Sequence, residues 1–292
     1  MTTSQTHAMQ PRTSAPQVSF LWLEITGRCD LSCTHCYAGS GPLGTHGTMT
    51  DDDWRSVIDQ GAALGVSMVQ FIGGEPTLHP AFADLLRYAV DAGLAAEVYT
   101  NLTHVKASWW EIFACQNVSI ATSYYSDVPA EHERITNRRG CHAKTRANIA
   151  EAIRRGVVLR AGIIGVDDRQ RVDQARAELE AIGVTNIGID YLRKVGRAAR
   201  TQQGPDISQL CGDCGRGVAA ISPTGDVWPC VFSRWMNVGN VLNTPLAEIL
   251  TGPAMPSAAA MIHGSPGRGN CSPDGGACSP AADGQCGPSK SA

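Results

Sequence analysis

VSFLWLEITGRCDLSCTHCYAGS, residues 18–40, joins a strand-like apolar run to three cysteines, Cys29, Cys33 and Cys36. Cysteine this dense, in a chain without other secretory features, reads as metal ligation. Three ligands are one short of a closed structural zinc site. His35 is awkward as a co-ligand because it adjoins Cys36, but His46 is near enough in sequence to leave zinc open. A [4Fe–4S] cluster is ordinarily held by four thiolates. Held by three, it keeps one iron free for a small molecule.

Working outward, residues 18–191 alternate short β-rich runs with amphipathic helical patterns. Residues 49–65 predict a helix capped by Thr50, with acids in its first turn. SMVQFIGG (67–74) predicts a strand running into a glycine pair, and AFADLLRYAVDAGL (81–94) a helix closing near Gly93. Further strands are expected at 95–101, 118–126, 157–166 and 185–193, with helices at 142–156 and 169–183. Six βα-type repeats of this kind predict an α/β fold with a parallel sheet, either a partial barrel or a doubly wound sheet. Cys29, Gly73 and Asn101 follow the first three strands, where parallel barrels build their active sites.

The net charge of −3 gives no basis for electrostatic binding to nucleic acid or to an anionic membrane. No apolar run is long enough to span a bilayer, and residues 1–17 lack a signal-peptide core and read as a disordered polar arm. A cytoplasmic, reducing location is therefore expected. There the odd total of 11 cysteines favours metal ligation over disulfides.

After about residue 195 the character changes. Cys211, Cys214 and Cys230 flank a hairpin pattern, "GVAAIS", "PTGD", "VWPC". The tail from 264 is rich in Gly, Pro and Ser and carries Cys271, Cys278 and Cys286. Such a segment buries little apolar surface, so any order it has is expected to come from metal ligation.

Cys-x3-Cys-x-aromatic-Cys after the first strand, with His35 in the aromatic slot, and Gly73-Gly74-Glu75-Pro76 after the second resemble the radical S-adenosylmethionine (SAM) superfamily. The resemblance runs from about residue 18 to 250. It implies a partial (β/α)6 TIM-like barrel over 18–200, with a [4Fe–4S] cluster on Cys29, Cys33 and Cys36 and SAM chelating its open iron. Reductive cleavage of SAM then yields a 5′-deoxyadenosyl radical that removes a substrate hydrogen. Gly73 and Gly74 are expected to let the backbone approach SAM closely, with Glu75 near its ammonium group. The resemblance also implies SAM contacts from Tyr37, Asn101, Ser123, Arg160 and Ile164, with Arg160 pairing the SAM carboxylate.

Residues 201–292 are similar to the small cysteine-rich SPASM or twitch extension, which binds one or two auxiliary [4Fe–4S] clusters. Cys211, Cys214, Cys230, Cys271, Cys278 and Cys286 are the implied ligands. The spacing departs from the usual compact later group, and a zinc ribbon is the alternative for the CxxC.

The expected function is modification of a ribosomally made peptide by cross-linking, epimerisation or oxidation. The rivals are a small-molecule dehydrogenase or epimerase, for example on an aminosugar, and a non-catalytic Fe–S or zinc module. Expected partners are a flavodoxin- or ferredoxin-type electron donor and a separate leader-peptide-binding protein, since the sequence leaves no room for that domain. No catalytic acid or base is assigned. Glu131 and His132 read as exposed, Tyr124 and Tyr125 as rim packing, and Lys194, Arg197 and Arg200 as a solvated linker. Cys115 reads as a small buried hydrophobe, and Cys141 belongs to neither cysteine set.

Overall fold

The computed structural model describes residues 18–199 and 204–263. The N-terminal arm, Arg200, Cys271, Cys278 and Cys286 lie outside the described residues.

Six parallel strands alternate with helices along the chain. Strand β1 (Phe20–Thr26) leads through the cysteine loop to helix α1 (Asp51–Ala63), followed by β2 (Met68–Gly73), α2 (Phe82–Asp91) and β3 (Ala95–Tyr99). Then come α3 (Trp109–Phe113), β4 (Val118–Tyr124), α4 (Pro129–Thr136), α5 (Cys141–Arg154), β5 (Leu159–Gly165), α6 (Val172–Ile182) and β6 (Asn186–Tyr191). The C-terminal region adds β7 (Val218–Ile221), β8 (Asp226–Trp228), β9 (Gly239–Asn240), α7 (Leu246–Thr251) and α8 (Ala254–His263).

The local signals act as expected. Thr50 caps α1 and forms a reciprocal capping box with Asp53, while Asp51, Asp52 and Asp53 face the positive end of the helix dipole. Gly93, Gly156 and Gly183 follow α2, α5 and α6 with positive φ. Helix α4 was not expected from sequence, because its short stretch is dense in charge.

All strands share one sheet, ordered β6-β5-β4-β3-β2-β1-β7-β8-β9, and β1 to β6 pair in parallel with their sequence neighbours. Alternate residues divide between its faces. Leu21, Leu23, Ile25, Val69, Phe71, Val98, Ile120 and Ile163 join the core formed with the helices. The opposite face carries Trp22, Glu24, Gln70, Glu97, Tyr99, Ser123 and Arg160, an unusually polar set for a buried surface.

The C-terminal region is built into this sheet. Strand β7 pairs parallel with β1, from Phe20 with Val218 to Leu23 with Ile221. The pairing satisfies the edge of β1 that a six-stranded barrel leaves open. Trp22 and Ile72 pack with Leu210, Cys214, Val218, Trp228 and Val231, and the Arg234 guanidinium pairs with the buried Glu24 carboxylate. The C-terminal strands thus extend the sheet begun by β1 to β6.

Candidate active site

The ends of the parallel strands surround a cavity of about 1010 Å3, including its open mouth. Cys29, Cys33 and Cys36 line it, together with Gly73 and Gly74 at the end of β2. Among the described residues, no three His, Cys, Asp or Glu side chains close on a point as they do around a single metal ion. The three free thiols share the cavity wall instead, an arrangement suited to a multi-iron cluster. Burial pushes the Cys29 thiol up, with Glu75 adding to the effect, and pushes Cys33 to about 12, with Cys36 adding to it. Both need a strong local positive charge, such as iron, to ionise near neutrality.

Main-chain contacts hold the loop. Cys29 N–H donates to the Gly41 carbonyl (3.0 Å), Ser32 N–H to Thr136 (3.2 Å) and Thr34 N–H to Ile135 (3.0 Å). Asp30 accepts from Asn101 Nδ2 (2.7 Å), Thr103 Oγ1 (2.6 Å) and Arg138 Nη1 (2.8 Å), which anchors the loop to the segments that follow β3 and α4.

The glycine pair has a tighter requirement than closeness to a ligand. A Cβ on Gly73 would stand 2.2 Å from the Thr26 carbonyl oxygen, and one on Gly74 2.2 Å from that of Arg28. Gly73 also has φ +139°. The pair is needed so that the end of β2 can lie directly against the chain entering the cysteine loop, where the β1–β2 register shifts.

Glu75 is not among the cavity-lining residues. Its Oε1 accepts from Thr77 N–H (3.2 Å), Thr77 Oγ1 (2.6 Å) and Thr100 Oγ1 (2.7 Å), and its Oε2 accepts from Asn101 N–H (2.8 Å). Burial raises its pKa to about 7, with these hydrogen bonds opposing the shift. Its carboxylate braces the ends of β2 and β3.

Arg160 has a carboxylate partner within the protein. It lies on the inner face, where Nε and Nη2 pair with Glu97 (2.6 and 2.8 Å), and its guanidinium sits 5.6 Å from the Tyr99 ring centre. The same carboxylate of Glu97 thus takes both prongs of the fork. Arg160 does not line the cavity.

Tyr37, Asn101, Ser123 and Ile164 do line the cavity. Asn101 Nδ2 also lies 3.9 Å from Cys29 Sγ, while its Oδ1 accepts Thr103 N–H (2.8 Å). Ser123 Oγ pairs with Tyr99 Oη (3.0 Å). The Tyr37 ring packs 5.1 Å from Phe232, and its buried hydroxyl has no partner. His35 Nδ1 and His132 Nδ1 are likewise buried without a partner. Three unpartnered polar atoms on the walls of one cavity fit a polar occupant such as a nucleoside sulfonium.

Several lining residues were missed. His132 is 2% exposed, with its ring about 5 Å from those of Tyr124, Tyr125 and His142. Burial lowers its pKa to about 3, helped by His142, so the imidazole is neutral. The available signal was Pro129 opening a turn that spaces His132, Ile135 and Thr136 on one helical face. Tyr125 lines the cavity, whereas Tyr124 points away to His142 Nε2 (2.8 Å) and Glu178 Oε2 (2.6 Å). Asp190, Arg193 and Phe232 complete the wall towards the second cysteine set, with Arg193 4.8 Å from the Phe232 ring centre. Burial raises the Asp190 pKa to about 6, against the pull of Arg193. Cys115 is exposed, contrary to expectation, and Cys141 is buried beside Cys29 and Leu31.

Cys214 Sγ and Cys230 Sγ lie 2.9 Å apart, and Cys211 hydrogen-bonds the same Cys214 thiol. These three second-set cysteines are therefore together in the fold.

Comparisons with known proteins agree with this architecture. Residues 208–273 match a model described as an iron–sulfur cluster-binding domain, SPASM, which spans Cys211, Cys214, Cys230 and Cys271 and stops before Cys278. A PqqA peptide cyclase of Ruegeria pomeroyi is 30% identical over 181 residues, 59% of this chain. A PqqA peptide cyclase of Streptomyces rochei is 25% identical over 280 residues, 82% of this chain. The chain spans 47% of the first relative's length and 76% of the second's. The structure of Streptococcus suis SuiB bound to its precursor peptide SuiA shares the fold, with TM-score 0.70 and 14% identity over 86% of this chain and 68% of that one. Among the described residues, no helix is long and apolar enough to cross a membrane. Residues 23–176, more than half of the chain, match the model of the radical SAM superfamily, and the chain belongs to that family.

Proposed function

We propose that this chain is a radical SAM enzyme that modifies a ribosomally made peptide. The observation that carries the reading is the convergence of Cys29, Cys33, Cys36, Gly73 and Gly74 on one cavity. Cys29, Cys33 and Cys36 would hold a [4Fe–4S] cluster whose open iron would bind SAM, and the pair would supply reductive, radical hydrogen-abstraction chemistry. The protein's part is to position SAM and keep water away. Tyr37 and Ile164 would give apolar surface to the nucleoside, and Gly73 and Gly74 would form the adjoining wall of the cavity. Asn101 holds the cysteine loop through Asp30. Cys211, Cys214 and Cys230 would be ligands of an auxiliary cluster. Two PqqA peptide cyclases and a peptide-bound fold neighbour favour a peptide substrate. The electron arrives from a flavodoxin- or ferredoxin-type carrier, a separate protein presents the leader peptide, and the site of action is the cytoplasm.

The test is anaerobic reconstitution with iron and sulfide, then addition of SAM and dithionite. 5′-Deoxyadenosine is expected, and its absence would sink the enzyme reading. A short precursor peptide encoded beside the gene should then change mass only in the complete reaction. An unchanged peptide alongside abundant 5′-deoxyadenosine would leave the superfamily chemistry standing and remove that substrate.

A further inference from the structure

After β6 the chain turns back across the cysteine loop. Gly196 has φ +57°, and a Cβ there would stand 2.1 Å from the Tyr37 carbonyl oxygen and 2.4 Å from that of Cys36. Arg197 N–H donates to the Cys36 carbonyl (3.0 Å). Its guanidinium then forms a three-pronged clasp: Nε to Cys33 O (2.8 Å), Nη1 to Gly39 O (2.8 Å) and Nη2 to Ser40 O (2.6 Å). One side chain thus gathers carbonyls from both ends of residues 33–40. These partners are neutral carbonyls, so none of them cancels the Arg197 charge.

We propose that Arg197 is a positioning residue for the three-cysteine loop, shaping its second half and placing a fixed positive charge beside Cys33 and Cys36. The proposal rests on the radical SAM reading and adds a role for a residue outside its motifs. The planar fork explains why arginine suits the position, since lysine cannot reach three carbonyls from one plane. The charge has an electrochemical consequence. Reduction adds one electron from a low-potential one-electron donor and neither takes up nor releases a proton. The added negative charge lies near the guanidinium, which favours the reduced form and raises the potential.

The experiment uses the full chain, reconstituted anaerobically, as wild type, Arg197→Lys and Arg197→Gln. Three quantities are read: iron per chain, the rate of iron loss to a chelator, and the midpoint of the electron paramagnetic resonance signal that shifts on SAM addition. Both variants are expected to lose iron several-fold faster than wild type, because both lack the fork. The midpoint is expected to fall in Arg197→Gln and to stay near wild type in Arg197→Lys. Circular dichroism and retention of the second site's iron establish that the variants are folded. If Arg197→Gln is folded but holds no SAM-responsive cluster, the loop-shaping role stands, and a wild-type midpoint in Arg197→Lys supports the charge effect. Wild-type iron retention and midpoint in Arg197→Gln would overturn the proposal alone. A wild-type signal indifferent to SAM would instead sink the proposed SAM-binding function, and this proposal with it.

Discussion

Glu75 Oε2 accepts the backbone N–H of Asn101 at 2.8 Å, so one buried carboxylate links the end of β2 to the residue that restrains the cysteine loop. Replacing Glu75 by Ala strands donors on Thr77, Thr100 and Asn101 in a dry environment. Each unsatisfied buried group costs about 1–3 kcal/mol. Glu75→Ala is expected to lower the urea midpoint clearly and reduce iron uptake. Glu75→Gln, which keeps one carbonyl acceptor, should fall between Ala and wild type. A wild-type midpoint in Glu75→Ala would show that the bracing is dispensable.

The glycine pair makes a prediction with an internal control. A Cβ at Gly74 meets backbone at 2.2 Å, and backbone cannot rotate out of the way. Gly74→Ala is expected to displace the Arg28–Cys29 segment, with an overpacking cost of roughly 1–3 kcal/mol or more and poor iron loading. Gly93→Ala meets nothing within 4 Å and carries only the strain of its φ of +85°, about 1–2 kcal/mol. It should load iron normally. Equal iron content in the two variants would refute the packing argument.

These results show what a one-dimensional reading can reach. The cysteine loop, the glycine pair and the βα alternation were legible because each is written in spacing over a few residues. The Thr50 cap and the glycine helix ends were legible for the same reason. The role of Glu75 was not, because its partners Thr100 and Asn101 lie 25 and 26 residues away. Arg197 looked like a solvated linker because the carbonyl it meets on Cys33 is 164 residues upstream. The pairing of Arg160 with Glu97 was not legible, because the two lie on strands two places apart in the sheet. The pairing of β7 with β1 depends on which sheet edge is left open, a property of the assembled barrel.

The two cysteine sets should separate by iron count. Cys33→Ala is expected to lose about four irons per chain and Cys214→Ala the iron of the C-terminal site, since each set ligates its own cluster. SAM cleavage should vanish in Cys33→Ala, while SAM-dependent spectral change should persist in Cys214→Ala. Loss of all iron in either single variant would mean that the sets are not independent.

His132 offers a pH test that needs no substrate. Its pKa is about 3 in the folded protein, against about 6.5 in an unfolded chain. Between these values the unfolded state binds the extra proton, so stability rises with pH and is lost on acidification. The single-site slope approaches about 1.4 kcal/mol per pH unit within that window and vanishes above it. His132→Phe keeps a ring among Tyr124, Tyr125 and His142 and removes the titration. Urea unfolding of wild type and variant should give a stability difference that shifts in favour of Phe between pH 7 and pH 5. A difference independent of pH would mean that His132 is charged in the folded state, or that its pocket admits water.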